Sequence, residues 1–192
     1  MSEFFDHIND DHRAVIARQP VFFVATAAEG ARINLSPKGM DSFRVLDDRT
    51  VAYLDVGGSG NETNAHLLAD GRITVMFCAF DSPALILRLY GRGTPVLPQD
   101  EGWNALAARF ELFPGTRQIF LIAVDKVQTS CGWAVPRMTL ERERETLNKY
   151  HRKFAPDDLL GIFAEENSRS IDGLPARVPT EVPPELRPEI RS

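Results

Sequence analysis

Cysteine, histidine and long hydrophobic runs are scarce in this chain of 192 residues. The two cysteines, Cys78 and Cys131, form no CxxC pair, and no two of the four histidines are four residues apart, as a zinc-protease helix requires. The longest apolar runs, at 21–25 and 73–80, are too short to cross a bilayer as a helix. These shortages exclude the common zinc motifs and predict a protein without a membrane span.

An excess of positive charge is also missing. The chain carries 22 Lys and Arg against 27 Asp and Glu, and its basic residues form no cluster, so we expect no nucleic-acid partner. No apolar run that could act as a secretory leader follows the acidic N-terminus, so we expect a cytoplasmic protein with reduced thiols. Cys131, which lies between Ser130 and Gly132, is the better candidate for a reactive thiol, and its role stays open.

The remaining composition is that of an ordinary globular protein, with 43% apolar and 26% charged residues. Six short stretches are apolar throughout or alternate between polar and apolar residues, which predicts β-strands. We expect these strands at 21–26, 32–36, 50–55, 72–80, 85–90 and 120–127. The turns between them are short and no regular alternation of strand and helix occurs. The pattern therefore favours a mainly β fold, an antiparallel barrel with peripheral helices.

Helical spacing of apolar residues predicts helices at 4–17, 62–69, 103–113 and 141–153. We expect residues 1–138 to form the barrel domain with its N-terminal helix, and residues 139–192 to form a helical extension and a tail of the same fold unit. The tail is rich in proline, at Pro175, Pro179, Pro183, Pro184 and Pro188. This density excludes a helix or an inner strand and leaves a disordered tail or an extended arm on a neighbouring subunit.

The glycine-rich stretch 57–61 matches none of the usual motifs. No Gly-Lys-Ser/Thr follows it, so it is not a P-loop. Thr63 stands where the last glycine of GxGxxG would be, and Asn61 replaces the second glycine that a nucleophile elbow needs after Ser59. The acids and histidines between His7 and His12 are best explained as a solvated helix face.

Two polar clusters interrupt the apolar strands. One is Asn34-Leu35-Ser36-Pro37-Lys38-Gly39, at a strand end, and the other is Ser59-Gly60-Asn61-Glu62-Thr63-Asn64, a turn that leads into a helix. Small residues and free helix N–H groups favour a phosphate-bearing ligand there, although the second cluster could also supply plain helix caps. Arg88 could add a charged contact or could pair with a surface carboxylate.

These clusters carry a resemblance to a known family. Four further segments add to it, namely 72–77, 88–91, 129–132 and the late Ser170-Ile171-Asp172-Gly173-Leu174-Pro175. Together they resemble the pyridoxamine 5'-phosphate oxidase-like proteins, the flavin-binding split-barrel family, over most of the chain from about residue 21.

The resemblance implies a six-stranded antiparallel split β-barrel of Greek-key type that forms a homodimer with flavin mononucleotide (FMN) at the interface. Asn34 and Ser36 would flank the flavin ring, the turn 59–64 would face its phosphate, and Arg88 would close the phosphate end. Lys38 matches a lysine that lies near the substrate phosphate in true oxidases. The helix and tail after Thr139 would wrap the partner subunit. The candidate cofactor-binding residues are Asn34, Ser36, Pro37, Lys38, Gly39, Ser59, Asn61, Thr63, Asn64 and Arg88.

The sequence departs from the true oxidases at two places. Glu62 and Thr63 stand where those enzymes carry an Arg-Lys pair, and the C-terminal tryptophan and arginine pattern is not evident. We therefore expect an FMN-dependent oxidoreductase that acts on a small molecule other than pyridoxamine 5'-phosphate. No side chain stands out as a catalytic acid or base. Two alternatives stay open: a non-catalytic flavin-binding protein or cofactor-free interaction module, and a split barrel that binds deazaflavin or haem.

Overall fold

A computed structural model describes residues 2–187, and within them one antiparallel sheet of eight strands curls into a barrel. The strands are β1 (Ser2–Phe5), β2 (Phe22–Thr26), β3 (Asn34–Lys38), β4 (Phe43–Val45), β5 (Thr50–Val56), β6 (Arg72–Cys78), β7 (Ile86–Val96) and β8 (Thr116–Ser130). Their order is β3-β2-β6-β7-β8-β5-β4, and β1 pairs with β8. Neighbours that are not consecutive in the chain, β2 with β6 and β5 with β8, give the crossovers of a Greek-key type barrel.

The mainly antiparallel β fold with peripheral helices is confirmed, with eight strands rather than six. The two additional strands are short. β1 pairs with the end of β8 at the edge that β5 leaves free, and β4 adds three residues beside β5. Neither stretch shows a long alternating pattern. These residues become strands through tertiary pairing rather than through their local sequence.

Alternation along the strands places one face inside the barrel. Val24, Val75, Leu89 and Val127 are fully buried and belong to the main core cluster. A second, smaller cluster lies outside the barrel, where Trp103 packs against the outward-facing residues of β5 and β8. The inner cluster fills the barrel, and the inward-facing polar side chains lie at the barrel rim.

The barrel is split between β3 and β5. These strands lie near opposite ends of the sheet order and are not paired by backbone hydrogen bonds. A side-chain contact spans the gap instead, because Lys38 Nζ on β3 donates to Asp55 Oδ1 on β5 at 2.8 Å. The opening at this gap exposes the inner polar faces of both strands.

In the described part of the chain, five α-helices surround the barrel: α1 (Asp10–Arg18), α2 (Glu62–Ala69), α3 (Trp103–Ala107), α4 (Thr146–His151) and α5 (Pro156–Glu166). A short 3-10 helix follows at Pro184–Leu186. The expectation that the first helix starts at residue 4 was wrong. Asn9 and His12 form a reciprocal cap, in which each side chain accepts from the other's backbone N–H at 2.9 and 3.2 Å. This cap starts α1 at Asp10 and frees residues 2–5 for pairing with β8.

Two other helices are shorter than the sequence predicts. α3 ends at Ala107, although Phe110 still packs against the outer cluster, so the apolar stripe is used without helical backbone. The charged stretch 141–145 is exposed and not helical, since it has no apolar face to pack. No helix within residues 2–187 is long and apolar enough to cross a membrane.

The chain after α5 runs back over the barrel. Asn61 Nδ2 donates to the carbonyls of Asn167 and Arg177, at 3.1 and 3.0 Å, and Asn64 Oδ1 accepts from the N–H of Arg177 at 2.8 Å. These contacts hold residues 167–177 against the barrel of their own chain. The sequence had left open a disordered tail or an extended arm on a neighbouring subunit. Pro188 lies outside the described residues, and the division at residue 138 stays a prediction.

Candidate functional site

A cleft of about 330 Å³ opens at the split of the barrel, between β3, the end of β5 and the start of α2. The two polar clusters of the sequence meet here, because the split places the strand that carries Asn34 opposite the turn that carries Ser59. Of the ten predicted cofactor-binding residues, seven line this cleft: Asn34, Ser36, Pro37, Lys38, Ser59, Asn61 and Thr63.

The floor of the cleft is an ion cluster around Asp55, whose side chain is 2% exposed. Asp55 Oδ1 accepts from Lys38, and Oδ2 accepts from Arg117 Nη2 at 2.7 Å and from Gln118 Nε2 at 2.9 Å. Burial alone raises the pKa of this carboxyl, but the charges of Lys38 and Arg117 outweigh burial and hold the pKa well below its ordinary value. Asp55 therefore stays ionised at neutral pH and is not available as a catalytic acid.

A buried network of amides continues behind the ion cluster. Gln118 Nε2 also donates to Asn61 Oδ1 at 2.8 Å, and Asn64 Nδ2 donates to Gln118 Oε1 at 2.6 Å. Arg117 Nη1 donates to the side-chain oxygen of Asn167 at 2.7 Å. These bonds tie β5, α2, β8 and the segment after α5 together, so they fix the shape of the cleft wall.

A second row of hydrogen bonds runs along β3. Asn34 Nδ2 donates to the hydroxyl oxygens of Thr26 and Thr63, both at 3.1 Å, and Asn34 Oδ1 accepts from Ser36 at 3.1 Å. Behind Thr26, the fully buried ring of His66 lies with Nδ1 3.1 Å from the threonine hydroxyl. The amide of Asn34 is therefore held from three sides, and the hydroxyl of Ser36 lines the cleft.

Helix α2 begins at the rim of the cleft. Asn61 is its N-cap residue, but its side chain makes no capping bond and is used in the amide network instead. The first N–H groups of α2 have no intrahelical carbonyl to bind, so they remain available to an anion. Glu62 lines the same rim, where its Oε1 accepts from the N–H of Ile171 at 2.8 Å.

Three predicted residues do not line the cleft. The Gly39 carbonyl accepts from Ser42 at 2.6 Å, and a Cβ on this glycine would lie 3.2 Å from the carbonyl of Pro20. Asn64 is fully buried behind the cleft wall. Arg88 lies on the outside of the sheet.

The strand register places Arg88 there. Arg88 is paired with Met76, Met76 with Phe23, and Phe23 with Pro37, so all four share one face of the sheet. Lys38 follows Pro37 and therefore points to the other face. The Arg88 guanidinium donates to the Ser130 hydroxyl at 3.2 Å, away from the ion cluster.

Sequence reasoning missed Asp55, Arg117, Gln118 and Asn167. A usable signal was present for the first three, because each is a polar residue at the end of an apolar strand, as Asn34 and Ser59 are. Their convergence depends on the pairing of β5 with β8, which sets Asp55 opposite Gln118. No pattern in the sequence indicated Asn167.

The polar groups of the cleft fit those of FMN. The oxygens of Asn34 and Ser36 can accept from an N–H at the flavin ring edge, and the Lys38 ammonium with the N–H groups of α2 suits a phosphate. The charge balance is less favourable than the donor set. Lys38 and Arg117 are matched by the carboxylates of Asp55 and Glu62 in the same cleft.

Fold and cleft together define a split β-barrel with a polar binding site at its split. The family model described as pyridoxamine 5'-phosphate oxidase matches residues 8–131. A curated protein of Aspergillus flavus, the pyridoxamine 5'-phosphate oxidase family protein ustO, is 39% identical over 91% of this chain and 78% of its own length. The chain belongs to the pyridoxamine 5'-phosphate oxidase family.

Two solved structures share the fold at low sequence identity. A variant of HupZ from Group A Streptococcus has a TM-score of 0.51 and 22% identity, over 64% of this chain and 99% of that one. A candidate pyridoxamine 5'-phosphate oxidase from Lactobacillus delbrueckii also has a TM-score of 0.51, with 15% identity over 64% of this chain and 94% of that one. Both likenesses support the barrel fold.

Proposed function

We propose that this protein binds FMN in the cleft at the barrel split and uses it to oxidise or reduce a small organic molecule. The observation that carries the proposal is the set of polar groups that faces one space: the Lys38 ammonium, the hydroxyl oxygen of Ser36 beside Asn34, and the first N–H groups of α2. Membership of the family and the resemblance noted in the sequence support the choice of FMN.

Each group has a definite task in this proposal. Lys38 and the start of α2 hold the phosphate, while the oxygens of Asn34 and Ser36 accept from the ring and fix its orientation. The bound flavin supplies the electron transfer, and the protein supplies position and exclusion of water. Asp55 keeps Lys38 in place across the split, so it acts as a positioning residue.

A second candidate function is flavin binding without turnover of an organic substrate. Two observations favour it over an acid–base enzyme. The buried carboxylate of the cleft is fully engaged by two cations and an amide, and the other carboxylate of the cleft, Glu62, is used by the backbone of Ile171. Reduction of the bound flavin by NADH or NADPH, followed by transfer to an added acceptor, separates the two functions.

The first experiment is a visible absorption spectrum of the freshly purified protein, with chromatography of whatever acid releases. We expect a yellow protein that releases FMN. A colourless protein that takes up neither FMN, deazaflavin nor haem on addition contradicts the proposal and leaves a cofactor-free interaction module.

A substitution then locates the flavin. Lys38→Met removes the ammonium but leaves Asp55 paired with Arg117 and Gln118, so the fold is retained. Loss of a charged hydrogen bond to the phosphate should weaken FMN binding about tenfold or more, measured by quenching of flavin fluorescence. The matched control is Lys149→Met, in which a lysine paired to Glu145 is removed from an exposed helix. Equal FMN affinity in both variants would show that the cofactor binds elsewhere.

The protein works as a homodimer in this proposal. The strand register aligns one residue from each of six strands in a row on the outer face of the sheet. In this row Pro37 and Phe4 are exposed, and Phe23, Met76, Arg88 and Gln128 are half-buried. Leu35 lies on the same face and is 65% exposed. A second copy of the chain would cover this apolar face and bring Arg88 into the interface.

Light scattering after size-exclusion chromatography tests the dimer. We expect twice the chain mass of 21.5 kDa for the wild type. Leu35→Glu places a charge on the outer face and should give monomers, whereas Leu68→Glu, on the exposed side of α2, should not. A monomeric wild type contradicts the dimer.

The free thiols of Cys78 and Cys131 agree with the reducing cytoplasm in which we place the protein.

A further inference from the structure

Three of the charged side chains that line the cleft at the barrel split form one ion cluster. Lys38 and Arg117 both pair with Asp55, at 2.8 and 2.7 Å, and the side chains of Asp55 and Arg117 are only 2% and 4% exposed. Two cations share one carboxylate, so the cluster keeps one positive charge in excess. This excess charge is what the floor of the cleft offers to an anion.

Glu62 is the remaining charged side chain among the described residues that line the cleft, and it cancels this excess. The residue is half-buried at the rim. None of the ion pairs between residues 2 and 187 includes Glu62, so no neighbouring cation there neutralises its carboxylate. The two cations and two carboxylates of the cleft therefore carry no net charge, and the charge of Glu62 decides whether the cleft attracts an anion.

The carboxylate of Glu62 lies beside the glycine-rich turn that forms the rim. Its Oε1 is 3.7 Å from the position that a Cβ of Gly60 would take, and it accepts from the Ile171 N–H at 2.8 Å. Ile171 belongs to the segment that runs back over the barrel, so this bond holds the negative charge at the rim. A phosphate bound by Lys38 and the start of α2 lies beside the same turn, where it meets a like charge.

Resting on the proposed function, in which the cleft holds a flavin, we propose that Glu62 is a specificity-determining residue. It lowers the affinity for a flavin in proportion to the negative charge at the end of the ribityl chain. The ion cluster attracts this end and Glu62 repels it, so the cleft distinguishes weakly between a doubly charged phosphate, a singly charged phosphodiester and an uncharged hydroxyl. The accepted ligands are therefore a wider class of flavins than FMN alone.

Riboflavin, the methyl ester of FMN and FMN itself test this role, because at pH 8 their ribityl ends carry about zero, one and two negative charges. Glu62→Gln removes the charge, while its amide oxygen can still accept from the Ile171 N–H and keep the shape of the rim. We expect an unchanged affinity for riboflavin, a gain of about threefold for the methyl ester and a gain of about tenfold for FMN. Quenching of flavin fluorescence in the full-length chain measures all three affinities.

Two further variants separate the charge of Glu62 from its structural contact. Glu145→Gln removes the same charge from an exposed residue outside the cleft and should leave all three affinities unchanged. Glu62→Ala also removes the bond to Ile171, and it should raise the ratio of FMN to riboflavin affinity as Glu62→Gln does. An equal change for the three flavins in Glu62→Gln, or no change, would overturn the role of Glu62 while flavin binding stands. Failure of the wild type and all variants to bind any of the three would overturn the proposed function and this role with it.

Discussion

The interior of the barrel has two unlike regions. One is aromatic, where Phe22, Phe43 and Phe77 pack with ring centroids 5.0–5.7 Å apart. The other is ionic, where Asp55 is bound by Arg117 and two further side chains. Apolar contacts are not directional, so a side chain of similar volume can replace another at small cost. Each member of a buried ionic network is needed by its neighbours, so the region beside the cleft should tolerate little change.

Removal of Asp55 should have the largest effect. Asp55→Ala leaves Lys38 and Arg117 without their carboxylate in a buried site, and loss of one partner of a buried pair costs about 3–5 kcal/mol. Urea denaturation followed by circular dichroism measures the loss. Asp6→Ala, which removes the exposed partner of Lys126, is the control and should show no measurable loss. Similar losses in both variants would remove the distinction between the regions.

A change to methionine in each region compares them directly. Leu89→Met keeps the volume of a core side chain and should lower the free energy of unfolding by less than about 1.5 kcal/mol. Gln118→Met leaves Asp55, Asn61 and Asn64 each short of a partner and should lower it by about 2–4 kcal/mol. A Gln118 variant as stable as the Leu89 variant would show that water completes the network.

Acid should destabilise the ionic region over a defined pH range. The folded pKa of Asp55 lies well below its ordinary value of 3.8, so the stability it gives is present above pH 3.8 and is lost as the pH falls further. Two histidines titrate at a higher pH than Asp55. Burial is the largest cause that lowers the pKa values of His12 and His151 below 6.5. The unfolded chain therefore binds protons first, and stability should already decline below pH 6.5. Thermal melts between pH 3 and pH 8 should show both declines, and Asp55→Asn should flatten only the lower one.

The smallest effect is expected where the two regions meet. The hydroxyl of Tyr53 is buried and has no hydrogen-bond partner, although its ring packs on Phe120 with centroids 4.9 Å apart. Tyr53→Phe removes only this unpaired group, so the free energy of unfolding should be unchanged or rise by up to about 1 kcal/mol. A clear loss of stability, measured by the same urea titration, would show that Tyr53 belongs to the ionic region.

Six strands could be predicted because their patterns are local, with apolar or alternating residues between turn signals. β1 could not be predicted, since residues 2–5 become a strand only through the free edge of β8. The polar clusters at Asn34 and Ser59 were visible as interruptions of apolar strands. Asp55 and Arg117 were not seen as a pair because 62 residues separate them in the chain. The face on which Arg88 lies needed the strand register, which the sequence pattern does not provide.

The contacts between Asn61 and the carbonyls of Asn167 and Arg177 set an order for the synthesis of the protein. A ribosome finishes β8 at residue 130, so every strand of the barrel is made before Arg177 has been added. At roughly 5–20 residues per second, a few seconds pass between the synthesis of β8 and that of the last supports of the cleft wall. On the proposed function, we therefore expect the cofactor to bind only at the end of translation, and a message truncated before residue 167 would yield a barrel with an incomplete site.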